Sequence, residues 1–78
     1  MRRNQEITMT LNDAELEKEY IIKSINTDDE EMKDFLFSLG CYSGEPITVV
    51  TRKKNNMVLA IKDARYNIDN ELGAAIEI

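Results

Sequence analysis

Seventy-eight residues suffice for one domain that buries only ~60 % of the surface its unfolded chain exposes, so a deep active site has little room. Hydrophobic residues at 42 % and charged residues at 32 % describe a chain that folds and exclude a disordered tail. A net charge of -5 argues against a nucleic-acid backbone as ligand, and the lack of any histidine removes the usual general base and the commonest metal ligand.

Residues 1–9, MRRNQEITM, show no sustained period and are expected to be disordered, leaving 10–78 as the domain. The same stretch lacks the apolar core of a signal peptide, and no uncharged run approaches the ~20 residues of a spanning helix, so no membrane insertion is expected. One cysteine, Cys41, permits no intrachain disulfide, which fits a reducing compartment and a cytoplasmic location. Thr10 with Asp13 three residues on predicts a short helical turn from Leu11 to Leu16.

Glu19 to Asn26 is rich in β-branched residues and predicts a strand. Its apolar positions, Tyr20, Ile21, Ile22 and Ile25, do not alternate, which predicts a bulge or a strand covered on both faces. The clearest element follows. Thr27 or Asp28 can cap a helix with Glu30 or Glu31 three residues on, and Met32, Phe35, Leu36 and Leu39 recur at helical spacing. Gly40 stands where a left-handed stop belongs. The expected helix runs from Asp28 to Leu39.

After Gly44 the period becomes two, with Pro46 at the start of a strand carrying Ile47 and Val49 and with MVLAIKD as its return. A two-residue Asn55-Asn56 loop would pair Val49 with Lys62. A three-residue Lys54-Asn55-Asn56 loop would pair Val49 with Ile61 and Thr51 with Leu59, and it is preferred because it gathers the large apolar residues on one face, with Asn56 left-handed. A tight connection at Asp63-Ala64 leads to a strand in which Tyr66 and Ile68 alternate with Arg65, Asn67 and Asp69. The closing NELGAAIEI reads as a turn and a last strand ending in Ile76 and Ile78. About five short antiparallel strands with one α-helix between the first and second strands predict a mainly β fold, a small, partly open SH3-like barrel. The helix would plug one end, with Gly40 and Gly44 as structural turns.

Chemistry-bearing residues are few. No nucleophile and base pair, glycine-rich phosphate loop or metal cluster is legible, so neither an enzyme nor a cofactor is expected. The acidic run Asp28, Asp29, Glu30 and Glu31 reads as helix-dipole complementation, and Cys41 as a small packing residue, so no metal site is assigned. Arg52, Lys53, Lys54, Lys62 and Arg65 read as charges protecting strand edges and hairpin tips. Phe35, Phe37 and Tyr42 cluster in sequence around the helix end, more aromatic surface than so small a domain buries with ease. They are the expected anchors of a protein-recognition surface, with Arg52 and Arg65 as rim charges.

The order YIIKSI, then a helix closing on FLFSLGCYSGEPITVV, then MVLAIKDARYNIDNELGAAIEI resembles the FeoA family, small cytosolic proteins of bacterial ferrous-iron uptake. The same SH3-like domain ends iron-dependent repressors of the DtxR type. The resemblance covers residues 8 to 78. It implies a non-enzymatic accessory protein that binds the FeoB transporter, at its cytoplasmic GTPase domain or its membrane portion, and modulates transport. The alternative it implies is a stand-alone interaction or oligomerisation module in metal-dependent regulation, with a second copy of the chain as a further candidate partner. Where family members usually have Pro-Gly this chain has Ser43-Gly44, and Lys18-Glu19 stands where a turn such as Pro-Gly precedes their first strand. Phe35 occupies a helix position where they often carry Arg, which implies that it is partly exposed.

Overall fold

The computed structural model describes residues 9–78. The expected disordered segment therefore lies outside the described residues except for Met9, whose carbonyl accepts the Ile78 amide. The chain opens on a 3-10 turn, Leu11–Asp13, closed by a complete capping box in which Thr10 and Asp13 each bond the other's backbone amide or that of the turn. Leu11 is fully buried beneath it.

The expected first strand is two strands, β1 (Glu19–Ile21) and β2 (Ser24–Ile25), in different sheets. This explains the broken alternation. Ile22 is buried at the crossing between them, while Ile21 faces solvent. Helix α1 (Glu30–Ser38) follows, capped by Asp29, whose Oδ1 accepts the amides of Glu31 and Met32. Strands β3 (Pro46–Arg52), β4 (Asn56–Ile61) and β5 (Ala64–Asp69) form an antiparallel meander. The four-stranded sheet runs β1-β3-β4-β5, and β2 pairs with β6 (Ile76–Glu77) in a second, two-stranded sheet. The expected SH3-like architecture holds, as a barrel left open between its sheets.

The preferred β3–β4 register does not form. Val49 pairs with Leu59 and Ile47 with Ile61, the ladder shifts between Val49 and Thr51, and Arg52 ends opposite Met57. The turn is Lys53 to Asn55, closed by the Lys53 amide on the Asn56 carbonyl, and Asn56 does not take positive φ. Val50 is the extra residue of a bulge, which leaves the apolar pattern inward but turns the following positions over. The β4–β5 turn also moves one residue earlier, to Lys62-Asp63, with Lys62 at φ 55.

A further correction concerns residues 70–75, expected as a turn. They form a short helix, α2 (Asn70–Ala75), whose first turn is capped by Asp69 Oδ1 accepting the Leu72 amide at 2.8 Å. Gly73 lowers helix propensity, and it sits close against neighbouring side chains. A Cβ there would lie 2.6 Å from Met57 Cε and 2.7 Å from Asn12 Oδ1.

The core is wholly apolar, with Leu36, Ile47, Val49, Leu59 and Ile61 among its buried members and no buried polar residue among the described residues. Leu39 packs against it only in part. Leu36 is the one fully buried side chain of α1, so it carries the docking of the helix. Leu36→Ala is expected to destabilise the domain by ~2–5 kcal/mol, because the cavity it leaves adds to the lost apolar transfer. Chemical denaturation reads the change as a lower midpoint, and an unchanged midpoint would show that α1 does not depend on this contact.

Candidate functional site

Everything exposed and aromatic gathers near the end of α1. The helix stops in a full Schellman arrangement, in which the Cys41 amide donates to the Leu36 carbonyl at 3.1 Å and the Gly40 amide to that of Phe37 at 3.0 Å. Gly40, at φ 99, supplies the left-handed residue the motif requires. Leu36 and Cys41 are both fully buried, giving the apolar contact that accompanies such a stop. A tight turn follows. The Glu45 amide donates to the Tyr42 carbonyl at 3.0 Å, with Gly44 at φ 93.

This join is tied down from outside as well. The Gly44 amide donates to the Ile22 carbonyl at 2.7 Å, the Ile22 amide to the Glu45 carbonyl at 2.9 Å, and Ser43 Oγ to the Lys23 carbonyl at 2.8 Å. Tyr42 is thus presented from a braced loop. Its ring stacks on Phe37 with centroids 5.5 Å apart and planes 14° from parallel, inside the range where aromatic pairs attract. Tyr42 remains 49 % exposed and Phe35 45 % exposed.

Helix geometry separates the three expected anchors. Leu36 faces the core, and at ~100° per residue Phe35 and Phe37 flank it on opposite sides, so they do not share a face. Phe37 and Tyr42 form one aromatic surface and Phe35 a second. Ile21 was not singled out in the sequence, yet it is 52 % exposed at the end of β1, opposite Pro46 and one residue from the carbonyl that holds Gly44. The run Tyr20-Ile21-Ile22 carried the signal, since three successive apolar residues in a strand leave one facing away from the core.

The two expected rim charges sit elsewhere. The bulge at Val50 turns Arg52 inward, where its Nη2 donates to the Leu11 carbonyl at 2.6 Å and ties the 3-10 turn to β3. It closes β3 at the end opposite Pro46, ~20 Å along the strand from the join. Arg65 is exposed on β5, beside Ala60. The outer sheet face holds a shallow groove of about 380 Å3 lined by Glu19, Glu45, Pro46, Thr48, Ala60 and Lys62. Lys62 Nζ lies 4.0 Å from Glu45 Oε1 across it. Short side chains on its floor and mixed charges on its walls suit a polypeptide surface.

The acidic residues before α1 act on the helix itself. Asp29 caps it, and Thr27 Oγ1 accepts the Asp29 amide. Among the described residues no group of three or more His, Cys, Asp or Glu converges, and no helix is long and apolar enough to cross a membrane.

A family model described as the FeoA domain matches residues 9–78. No curated protein matches the chain. Among solved structures, the chain superimposes on a manganese-dependent transcriptional repressor with a TM-score of 0.84 at 17 % identity, over 96 % of this chain and 42 % of that one. It thus spans well under half of the repressor's length. An iron uptake regulatory protein, FeoA, superimposes at 0.80 with 17 % identity, over 91 % of this chain and 95 % of that one. The zinc complex of Stenotrophomonas maltophilia FeoA, described as an SH3 domain protein and a suggested ferrous iron transport activating factor, superimposes at 0.79 with 16 % identity, over 87 % and 86 %. Identities this low speak for the fold alone.

Burial of Cys41 has a chemical consequence. Desolvation raises its thiol from 9.0 to about 11, which lowers the thiolate fraction at neutral pH by ~100-fold. The folded chain is expected to resist alkylation at pH 7 and to react once unfolded. Because the folded thiol titrates above the unfolded one, its stabilising contribution is full below pH 9 and declines as pH rises toward about 11. Cys41→Ala should flatten that decline in denaturation curves. Rapid labelling of the native chain would show that the join opens.

Proposed function

We propose, from the premise that this chain belongs to the FeoA family, that it is a non-enzymatic accessory protein of ferrous iron uptake. It acts by binding the cytoplasmic part of a FeoB-type GTPase transporter and modulating transport. The observation that carries this reading is the braced join. It holds Tyr42, 49 % exposed and stacked on Phe37, in a loop tied by backbone bonds on both sides. Rigid aromatic side chains lose little entropy on binding and dominate interface energies. Such a surface suits a small domain that acts by binding.

Phe35 offers a second aromatic surface on the other side of the helix, and Ile21 with Pro46 extends the first along the edge of the sheet. Arg65 can serve as a charged contact on the outer sheet face, whereas Arg52 contributes by holding the 3-10 turn. A second reading is favoured by the superposition that covers 96 % of this chain on the repressor. On that reading the chain is an interaction module in metal-dependent regulation, using the same surface toward a regulatory protein.

Phe35→Ala and Tyr42→Ala are expected to leave thermal melting nearly unchanged while weakening binding to the transporter's cytoplasmic GTPase domain at least tenfold, ~1.4 kcal/mol or more. Titration calorimetry with parallel melts measures both quantities. Unfolding by Phe35→Ala would make the residue core, and undiminished binding by both variants would move the contact elsewhere. Absence of any binding by the native chain would favour the regulatory reading.

A further inference from the structure

The sheet ends on β5, a strand of six residues. Its register against β4 is unbroken from Ile61↔Ala64 to Asn56↔Asp69. Because two residues join the strands, Ile61 and Ala64 form a hydrogen-bonded pair. Alternation then turns the backbone groups of Ala64, Tyr66 and Ile68 toward β4. Those of Arg65, Asn67 and Asp69 point away. Among the described residues, no backbone group outside β4 bonds Arg65 or Asn67. The strand holds no proline, no bulge and no lysine, three of the devices that protect an edge, and its charges are of opposite sign.

Its side chains are self-complementary. Arg65, Asn67 and Asp69 are all exposed on one face. Arg65 has no ion-pair partner among the described residues, where Lys62 and Glu45 form the one salt bridge. Asp69 uses Oδ1 to cap α2, and among the described residues its second oxygen has no hydrogen-bond partner. We propose that β5 pairs antiparallel with β5 of a second copy of this chain about a two-fold axis at Asn67. In that register Arg65 lies opposite Asp69 of the partner subunit, twice by symmetry, and the two Asn67 side chains meet on the axis.

The backbone agrees with the charges. Residues whose numbers sum to 134 face each other, so the outward-pointing Arg65, Asn67 and Asp69 become the hydrogen-bonded positions of the new ladder. A shift by one residue would set inward-pointing groups against outward ones, and a shift by two would part the charges. The half-buried Tyr66 falls opposite Ile68 of the partner subunit, on the inner face. The product is one continuous eight-stranded sheet with an isologous interface.

The test uses the full chain. Sedimentation velocity over rising concentration is expected to show a monomer–dimer equilibrium that weakens with salt. Arg65→Glu sets like charges against each other, and Asn67→Pro deletes an outward N–H that β4 does not use. Each should weaken the dimer at least tenfold, with the melting temperature retained at low concentration. Amide exchange gives an independent readout: protection of Arg65 and Asn67 should rise with concentration, while Tyr66 and Ile68 stay protected throughout. Should Asn67→Pro unfold the chain, Arg65→Glu and the exchange pattern decide. A chain that stays monomeric, a dimer indifferent to Arg65→Glu, or Arg65 and Asn67 amides unchanged by concentration would overturn the proposal.

Discussion

The Leu36 carbonyl accepting the Cys41 amide at 3.1 Å is the constraint on which the rest of the molecule depends. Helix α1 must stop there and the chain must reverse, and only a left-handed residue allows both, hence Gly40 at φ 99. Once the reversal is made, Leu36 and Cys41 close over the core together. The next residues are then delivered to the β1–β2 crossing, where Gly44, Glu45 and Ser43 are bonded to it. Strand β3 can begin at Pro46 because its predecessor is already fixed. The same path leaves Tyr42 no room inside.

Size determines what stays outside. The buried cluster is built from aliphatic residues, methionine and one cysteine, with no aromatic ring fully buried among the described residues. Rings are large relative to a core this small, so Tyr20 and Tyr66 pack at its margin while Phe35 and Tyr42 remain nearly half exposed. Exposed apolar area costs solubility unless charge surrounds it, and an acidic surface of net charge -5 supplies that charge. Position rather than burial gives these aromatics their use.

Much of this was legible in the residues because local chemistry dominated. Thr10 and Asp13 cap their turn through bonds within three residues, so pattern alone exposes them, while the cap of α1 falls on Asp29, one residue after the expected Thr27 or Asp28, because several adjacent residues of the run can serve. Inward positions such as Ile47, Val49, Leu59 and Ile61 were readable for the same reason, since period two survives whatever the register. The register itself was not, because a bulge at Val50 shifts every later pair and turns Thr51 and Arg52 over. That shift turned Arg52 from a surface charge into a tether for Leu11. Helix α2 was hidden by Gly73, which lowers helix propensity and packs against Met57 and Asn12 from distant parts of the chain. The candidate site divides likewise. Helical spacing alone set Phe35 on the apolar stripe with Leu36, and its exposure was implied only by the family resemblance, whereas the Phe37–Tyr42 stack and the exposure of Ile21 depend on tertiary bracing that no local pattern encodes.

The two proposed surfaces lie at opposite margins of the sheet. The join is bonded to the crossing that follows β1, at one edge, and β5 forms the other in the order β1-β3-β4-β5. Three strand spacings, ~14 Å, separate them. Pairing through β5 therefore leaves the join uncovered, and the two-fold axis sets one join at each far end of the continued sheet. If the proposed transporter contact and the proposed pairing both hold, such a dimer would present two aromatic surfaces to its partner. The second contact then forms at the effective concentration set by the first, so modest contacts of a small domain gain avidity without enlarging either surface.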